Sequence, residues 1–169
     1  MSGFRRNAER ITAKFDPSDA KLMADLARQV AGLIAERGDR GESGADPVLD
    51  RLLPDAYRDS PEDAAEFRRF TETELADDKI AGAISLAEAF DGEDGASSPT
   101  SRTVTVRFDL PQAIAALRSL TDIRLVLATS IGINYEGIPT ATGEAIAVTY
   151  AIYNWLGAVQ DSLVRAVDR

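Results

Sequence analysis

Two stretches of this 169-residue chain decide its fold: ITAKFDP at residues 11–17 and TVTVRFDLPQ at residues 103–112. In each, apolar and polar residues alternate up to an Asp. Pro17 follows Asp16 directly, and one residue separates Asp109 from Pro111. Alternation predicts a half-buried strand, and the Asp and Pro are typical of a helix start. Both stretches share the pattern T-x-(K/R)-F-D, 93 residues apart. The pattern predicts that the two strands pair into one antiparallel ribbon, which must lie on helices because two strands alone are marginal in water.

Helical patterns occupy most of the chain outside these strands. The first follows Asp16 and reaches about Arg37, where Gly38 suits a C-terminal cap. The last runs from about Thr142 to Val167 with apolar residues at helical spacing. The predicted fold class is therefore mainly α: a compact helical domain of about five helices with one small two-stranded antiparallel β-ribbon. The other helices are predicted to begin at Asp46, at Ser60 (reaching Phe90) and at Asp109, the last with a capping box completed by Gln112.

Length and composition predict a single domain over residues 1–169. Hydrophobic residues make up 44% of the chain and charged residues 28%, which is ordinary for a globular protein. Two polar, glycine-rich segments interrupt the helical patterns, near residues 38–45 and 91–101. Such composition predicts flexible loops within the domain.

The charge and the missing residue types exclude several functions. Cysteine and histidine are absent, which removes thiol chemistry, disulfides, thiolate metal sites and the commonest general base. The net charge is −9, and residues 41–100 alone hold 16 acidic and 5 basic side chains. A protein that holds the phosphate backbone by itself is expected to be basic, so we expect DNA to be contacted only indirectly. The acidic segment is either a solvated helix face or a surface for a basic partner.

The sequence contains no complete catalytic, metal-binding or cofactor-binding motif. Carboxylates cluster at residues 62–66 and 72–78, but charged runs are usually solvated surface. The segment that begins at Asp91 fails as a calcium loop, because Gly95 and Arg102 stand where ligands are required. The predicted sites therefore include no catalytic, metal or cofactor residue, and the protein is predicted not to be an enzyme.

The N-terminal region and the longest uncharged stretch bear on location. Residues 1–10 carry Arg5 and Arg6 next to Phe4 but no apolar segment, so they are predicted to be a terminal arm and not a signal peptide. Residues 145–160 are uncharged but shorter than the roughly 20 residues that a spanning helix needs. These features predict a cytoplasmic protein without a membrane partner.

Several stretches together resemble one known family. They are DPVLDRLLPDAYRD at 46–59, EFRRFT at 66–71, Lys79, LTDIRL at 120–125, and YNWL at 153–156 with Gln160. This set is similar to the AosR family of actinobacterial proteins, formerly a domain-of-unknown-function family, often encoded beside the protease adaptor ClpS. The resemblance covers nearly the whole chain, with Thr121 in place of the family's usual Asn.

The resemblance implies a regulatory protein of the oxidative-stress and cysteine-supply response. Family members of the characterised type act with an extracytoplasmic-function sigma factor and sense oxidation through cysteines, which this chain lacks. A sigma factor with RNA polymerase is therefore the expected partner, and no cofactor is expected. Alternatives left open are a partner of the ClpS and Clp proteolysis machinery, a carboxylate-based enzyme, and self-association as a homodimer.

A polar loop bounded by Pro54 and carrying an aromatic residue suits recognition of a partner. We therefore predict a partner-binding patch in this region. The alternative is that the loop only seals the junction between two helices. The predicted patch residues are Arg51, Asp55, Tyr57 and Arg58.

Overall fold

The computed structural model describes residues 2–40, 47–53, 73–92 and 103–168. Its sheet contains the two predicted strands, β2 (Arg10–Phe15) and β3 (Val104–Phe108). They pair antiparallel, with Ile11 opposite Phe108 and Phe15 opposite Val104. In both strands the apolar residues of the alternating pattern are buried on one face. The predicted antiparallel pairing is confirmed.

The prediction of a two-stranded ribbon is wrong, because a third strand, β1 (Ser2–Asn7), pairs antiparallel with the free edge of β2. The segment predicted to be a terminal arm is therefore an edge strand. Phe4 is buried, its backbone N–H donates to Ser162 Oγ at 2.7 Å, and Arg6 Nη1 donates to the Val167 carbonyl at 3.2 Å. Ala8, in the left-handed region with φ of 52°, turns the chain into β2.

Five helices are present among the described residues, which confirms the mainly helical fold and the expected helix number. No described helix combines the length and the apolar content that crossing a membrane requires. The helices are α1 (Pro17–Arg40), α2 (Pro47–Leu52), α3 (Thr73–Asp91), α4 (Leu110–Ser130) and α5 (Glu144–Val167).

Two predicted boundaries differ from the structure. Helix α1 continues through Gly38 to Arg40, so the predicted loop near 38–45 begins later, and residues 41–46 lie outside the described ones. A glycine within a helix costs only about 1 kcal/mol, which the packing of the rest of the helix can offset. The helix expected from Ser60 is described from Thr73 onward. It ends before Gly92, which has a φ of 86°, and most of the loop predicted near 91–101 falls outside the described residues.

The core lies between the sheet and the helices. Helix α1 packs along α3, α4 along α5, and α5 also covers β1. Phe15 and Phe90 meet edge to face with ring centroids 4.8 Å apart, and Phe4 stacks on Phe108 at 5.8 Å. Trp155 is half-buried and packs against the core. Burying this apolar surface is the main stabilising term of the fold. Among the described residues, the largest fully buried side chains are Ile11, Phe15, Met23, Leu52, Leu86, Phe90, Val106, Leu120, Ile123, Leu156, Val159 and Leu163.

The predicted capping box at the start of α4 is present, and it gives a testable stability effect. The Asp109 carboxylate accepts from the Gln112 N–H at 2.8 Å, and the Gln112 side chain accepts from the Asp109 N–H at 2.9 Å. We expect Asp109→Ala to lower the free energy of unfolding by about 1 kcal/mol, because the N–H of Gln112 loses its partner. Urea unfolding measures the change. Asp109→Asn keeps an acceptor, so its free energy of unfolding is expected to fall by only a few tenths of a kcal/mol. Equal losses of stability in the two variants would contradict the role of Asp109 as a cap.

Candidate functional site

Of the predicted partner patch, the structure describes Arg51. Its side chain is exposed at the end of α2, and Nη1 donates to Thr129 Oγ1 on α4 at 2.9 Å. The Thr129 hydroxyl in turn donates to the Leu125 carbonyl at 2.8 Å. Arg51 therefore connects the short helix α2 to the last turn of α4. The other three predicted residues, Asp55, Tyr57 and Arg58, lie outside the described residues.

An ion pair joins the first half of α3 to α4. Lys79 Nζ lies 2.7 Å from Asp122 Oδ1, and the two side chains are only 20% and 13% exposed. Spacing along α4 predicts a pair between Arg118 and Asp122, but Asp122 contacts the lysine of the neighbouring helix instead. Arg118 is exposed. A pair between Arg118 and Asp122 would lie on α4 alone, whereas the observed pair joins two helices.

On the opposite side of α4, a chain of hydrogen bonds joins α4 to α5. Gln160 Nε2 donates to Thr121 Oγ1 at 2.7 Å, and Gln160 Oε1 accepts from Arg124 Nη1 at 2.7 Å. The Thr121 hydroxyl donates to the Leu117 carbonyl at 2.8 Å. One glutamine side chain thus uses both its donor and its acceptor to connect two positions one turn apart on α4.

Arg124 completes this contact with an aromatic ring. Its guanidinium carbon lies 4.6 Å from the centroid of the Tyr153 ring, a cation–π distance. A Cβ added at Gly157 would lie 3.5 Å from the guanidinium, so the glycine leaves room for the arginine to lie flat on α5. Arg124 Nε is buried, with no hydrogen-bond partner among the described residues. We call the set Lys79, Asp122, Thr121, Arg124, Tyr153 and Gln160 the interhelix ladder.

The turn between α4 and α5 is held to the first half of α5. Tyr150 Oη donates to the Gly137 carbonyl at 3.0 Å, and the Tyr150 ring stacks with Tyr153. Asn134 Oδ1 accepts the backbone N–H groups of residues 136 and 138 at 3.0 Å, which closes the turn. The turn leaves Tyr135 97% exposed.

A groove runs between α3 and α4 over the Lys79–Asp122 pair. A cavity of about 670 Å³ in this groove is bordered by Asp78, Arg118 and the pair itself. The helices come close beneath it, since a Cβ at Gly82 would lie 3.0 Å from Ser119 Oγ. Because Asp122 is already paired with a cation, the geometry suits joining the helices more than proton transfer. Within the described ranges, no group of three or more acidic side chains is placed to hold a metal ion.

Comparison with known proteins agrees with the expected resemblance. The model of the DUF2017 family, a domain of unknown function, matches residues 1–167. The chain belongs to the DUF2017 family. The oxidative stress regulator AosR of Mycobacterium tuberculosis (strain ATCC 25618 / H37Rv) is 26% identical over 193 residues, covering 94% of this chain and 83% of that protein. The putative oxidative stress regulator AosR of Mycobacterium leprae is 25% identical over 195 residues, covering 95% and 84%. No solved structure matches the chain.

Three of the stretches that resemble the AosR family, all among the described residues, meet in space. The interhelix ladder contains residues from each of them: Lys79, residues 120–125 and residues 153–160. Sequence spacing predicts neither the Lys79–Asp122 pair nor the contact of Arg124 with Tyr153, because each joins two helices that are distant in the chain. The bonds of Arg51 with Thr129 and of Tyr150 with Gly137 also lack a sequence signal.

Proposed function

We propose that this protein is a non-enzymatic regulator of the oxidative-stress response, which acts in the cytoplasm by binding another protein. The observation that carries the proposal is the similarity to proteins named oxidative stress regulator AosR over 94–95% of the chain. In support of it, polar residues of the described family-like stretches join neighbouring helices, as in the Lys79–Asp122 pair and the hydrogen bond of Arg124 with Gln160. A helical framework with an apolar core and polar contacts between its helices suits a protein that works by presenting a surface.

The proposed partner is a sigma factor, alone or with RNA polymerase. The net charge of −9 favours contact with a protein over direct contact with DNA, which is itself negatively charged. The start of α3 contributes to this charge, with Glu74, Asp77 and Asp78 all exposed. An acidic surface of this kind attracts basic partners and raises their rate of association. Since the chain has no cysteine, the proposal assigns oxidant sensing to another molecule.

The first test identifies the partner. The tagged full chain is captured from its own cells after crosslinking, with and without oxidant, and bound proteins are identified by mass spectrometry. We expect a sigma factor or RNA polymerase subunits to be enriched over a capture with an unrelated acidic protein of similar size. Enrichment of ClpS or Clp protease subunits without a sigma factor would replace this proposal with a role in proteolysis. Capture of no partner in either condition would contradict it.

The second test asks whether Arg51 is a contact residue. We propose that its exposed guanidinium binds the partner, together with the remaining predicted patch. Arg51→Ala removes this group, whereas Thr129→Val removes only its internal acceptor and leaves the arginine in place. We expect Arg51→Ala to weaken binding to the identified sigma factor about tenfold, and Thr129→Val to change it little. Equal weakening by both variants would mean that Arg51 acts only by joining α2 to α4.

A further inference from the structure

The exposed side of α5 carries an unusual arrangement of side chains. Glu144, Ala151, Ala158 and Arg165 are all exposed and follow one another at seven-residue spacing. Residues seven apart lie on nearly the same face of a helix, two turns from each other. The face therefore has an acidic residue at its N-terminal end, a basic residue at its C-terminal end and small apolar residues between them.

The middle of this face has no charge. Ala147 and Asn154 are also exposed, Val148 is 56% exposed, and residues 145–160 contain no charged residue. By comparison, the solvent side of α1 carries Lys21 and Arg28, which pair with acidic neighbours. A solvent-facing helix surface is normally charged or polar. The α5 face is suited instead to contact with another apolar surface.

We infer that this face binds the same face of a second copy of the chain, with the two α5 helices antiparallel. In a two-fold arrangement each contact occurs twice, so Glu144 of one copy meets Arg165 of the other at both ends. Ala151 then lies against Ala158 of the other copy, and Asn154 lies next to the axis, close to its own equivalent. A parallel arrangement would place Glu144 beside Glu144 and would lose both ion pairs.

Charge elsewhere on the chain favours this surface over others for a second copy. Two chains of net charge −9 repel each other, and the repulsion is smallest where the approaching surfaces are neutral. Asp161 lies near the end of the face, but Arg165 follows it one turn later and can contact both Asp161 and the Glu144 of the other copy. The face is thus neutral at its centre and balanced in charge at its ends.

The size of the side chains also fits helix–helix contact. Alanines at the centre let two backbones approach closely, and Val148, 56% exposed and about 60° around the helix from Ala151, can cover one side of the contact. A seven-residue repeat suits helices crossing at about 20°. Beside the face, Ile138 is 52% exposed on the turn that Tyr150 holds to α5, so the apolar contact can extend onto this turn.

The test compares variants by sedimentation velocity of the full chain over a range of concentrations. We expect the unaltered chain to dimerise. Ala151→Arg and Ala158→Glu, each alone, are expected to raise the dissociation constant about tenfold or more, because each places an unpaired charge against an alanine. The double variant A151R/A158E is expected to recover dimerisation, since the introduced arginine of one copy then faces the introduced glutamate of the other. Ala35→Arg, on the exposed side of α1, is the matched control and is expected to leave the dimer unchanged.

A crosslink tests the same arrangement without depending on affinity. Because the chain has no cysteine, Asn154→Cys introduces a single thiol next to the proposed axis. An added oxidant takes two electrons and two protons from the two thiols of a dimer and joins them as a disulfide. We expect rapid formation of a covalent dimer, and no comparable product from Ala35→Cys at the same concentration.

Three results would overturn the inference. They are a monomer at all concentrations, single charged variants that dimerise like the unaltered chain, and a double variant that stays as weak as the single ones. Circular dichroism checks that each variant remains helical. The inference does not rest on the proposed function, because the oligomeric state is measured on the isolated chain without any partner.

Discussion

Replacing Phe15 with alanine should lower the free energy of unfolding by about 3–5 kcal/mol, the range for truncating a fully buried aromatic side chain. The Phe15 side chain is 0% exposed at the end of the central strand β2. Its ring meets Phe90 of α3 edge to face at 4.8 Å and Phe4 of β1 at 5.8 Å. The substitution removes contacts between the sheet and α3 and leaves a cavity that neighbouring elements can close only in part.

Urea unfolding followed by circular dichroism measures this loss. The urea concentration at the midpoint of unfolding is expected to fall. The slope of the unfolding free energy against urea concentration is expected to stay the same, because the surface exposed on unfolding changes little. Tyr135→Ala is the matched control: it also truncates an aromatic ring, but that ring is 97% exposed, so the expected change is within about 0.5 kcal/mol. A loss below about 1 kcal/mol for Phe15→Ala would contradict the central position of this residue.

The same residue explains why part of the sheet is predictable from sequence. Phe15 and Phe108 each end an alternating stretch and are followed by an aspartate that precedes a helix. Alternation places one face of each strand in the core, and the aspartate marks where the strand ends. Both signals are local in sequence, so strand identity and the beginning of the next helix follow from a few neighbouring residues.

Strand β1 has no such signal. Phe4 is its one buried apolar side chain, between polar and charged neighbours, and the strand forms because the free edge of β2 offers hydrogen bonds. Its attachment also depends on Ser162, 158 residues away, which accepts the Phe4 N–H. An edge strand stabilised by distant partners cannot be recognised from its own residues. The unpaired edge of β2 in the predicted ribbon is the feature that indicates a further strand.

The candidate site likewise contains contacts within one helix, which sequence spacing predicts, and contacts between helices, which it does not predict. Spacing along one helix relates Arg118 to Asp122, because residues four apart are neighbours on a helix surface. It cannot reveal Lys79, which reaches Asp122 from another helix. The resemblance to the AosR family points to the ladder residues as a set but not to their contacts. Of the predicted patch, Arg51 proves to bond to Thr129, a contact with no pattern in sequence.

The pair of Lys79 and Asp122 provides the second large effect. We expect Lys79→Met to lower the free energy of unfolding by about 2–3 kcal/mol, less than the 3–5 kcal/mol of a fully buried pair because these side chains are 20% and 13% exposed. The aspartate side chain is short, so its carboxylate cannot leave the interface between α3 and α4. Asp122→Leu is expected to cost only about 1 kcal/mol, because the longer lysine can extend its ammonium group into solvent.

The double variant K79M/D122L separates the two parts of this effect. With both charges replaced by apolar groups, no unpaired charge remains, and the expected stability is within about 1 kcal/mol of the unaltered chain. Urea unfolding of the four proteins gives the coupling free energy of the pair. A double variant that loses the sum of the single losses would mean that the two side chains do not interact.

The double variant also tests whether the interhelix ladder is structural or part of the contact surface. If Lys79 and Asp122 only join α3 to α4, a folded double variant binds the partner captured with the unaltered chain at unchanged affinity. A clear loss of affinity at preserved stability would place the pair in the contact surface, next to the cavity that it borders. Because the pair lies among the stretches that resemble the AosR family, the result decides whether that resemblance reflects a shared framework or a shared binding surface.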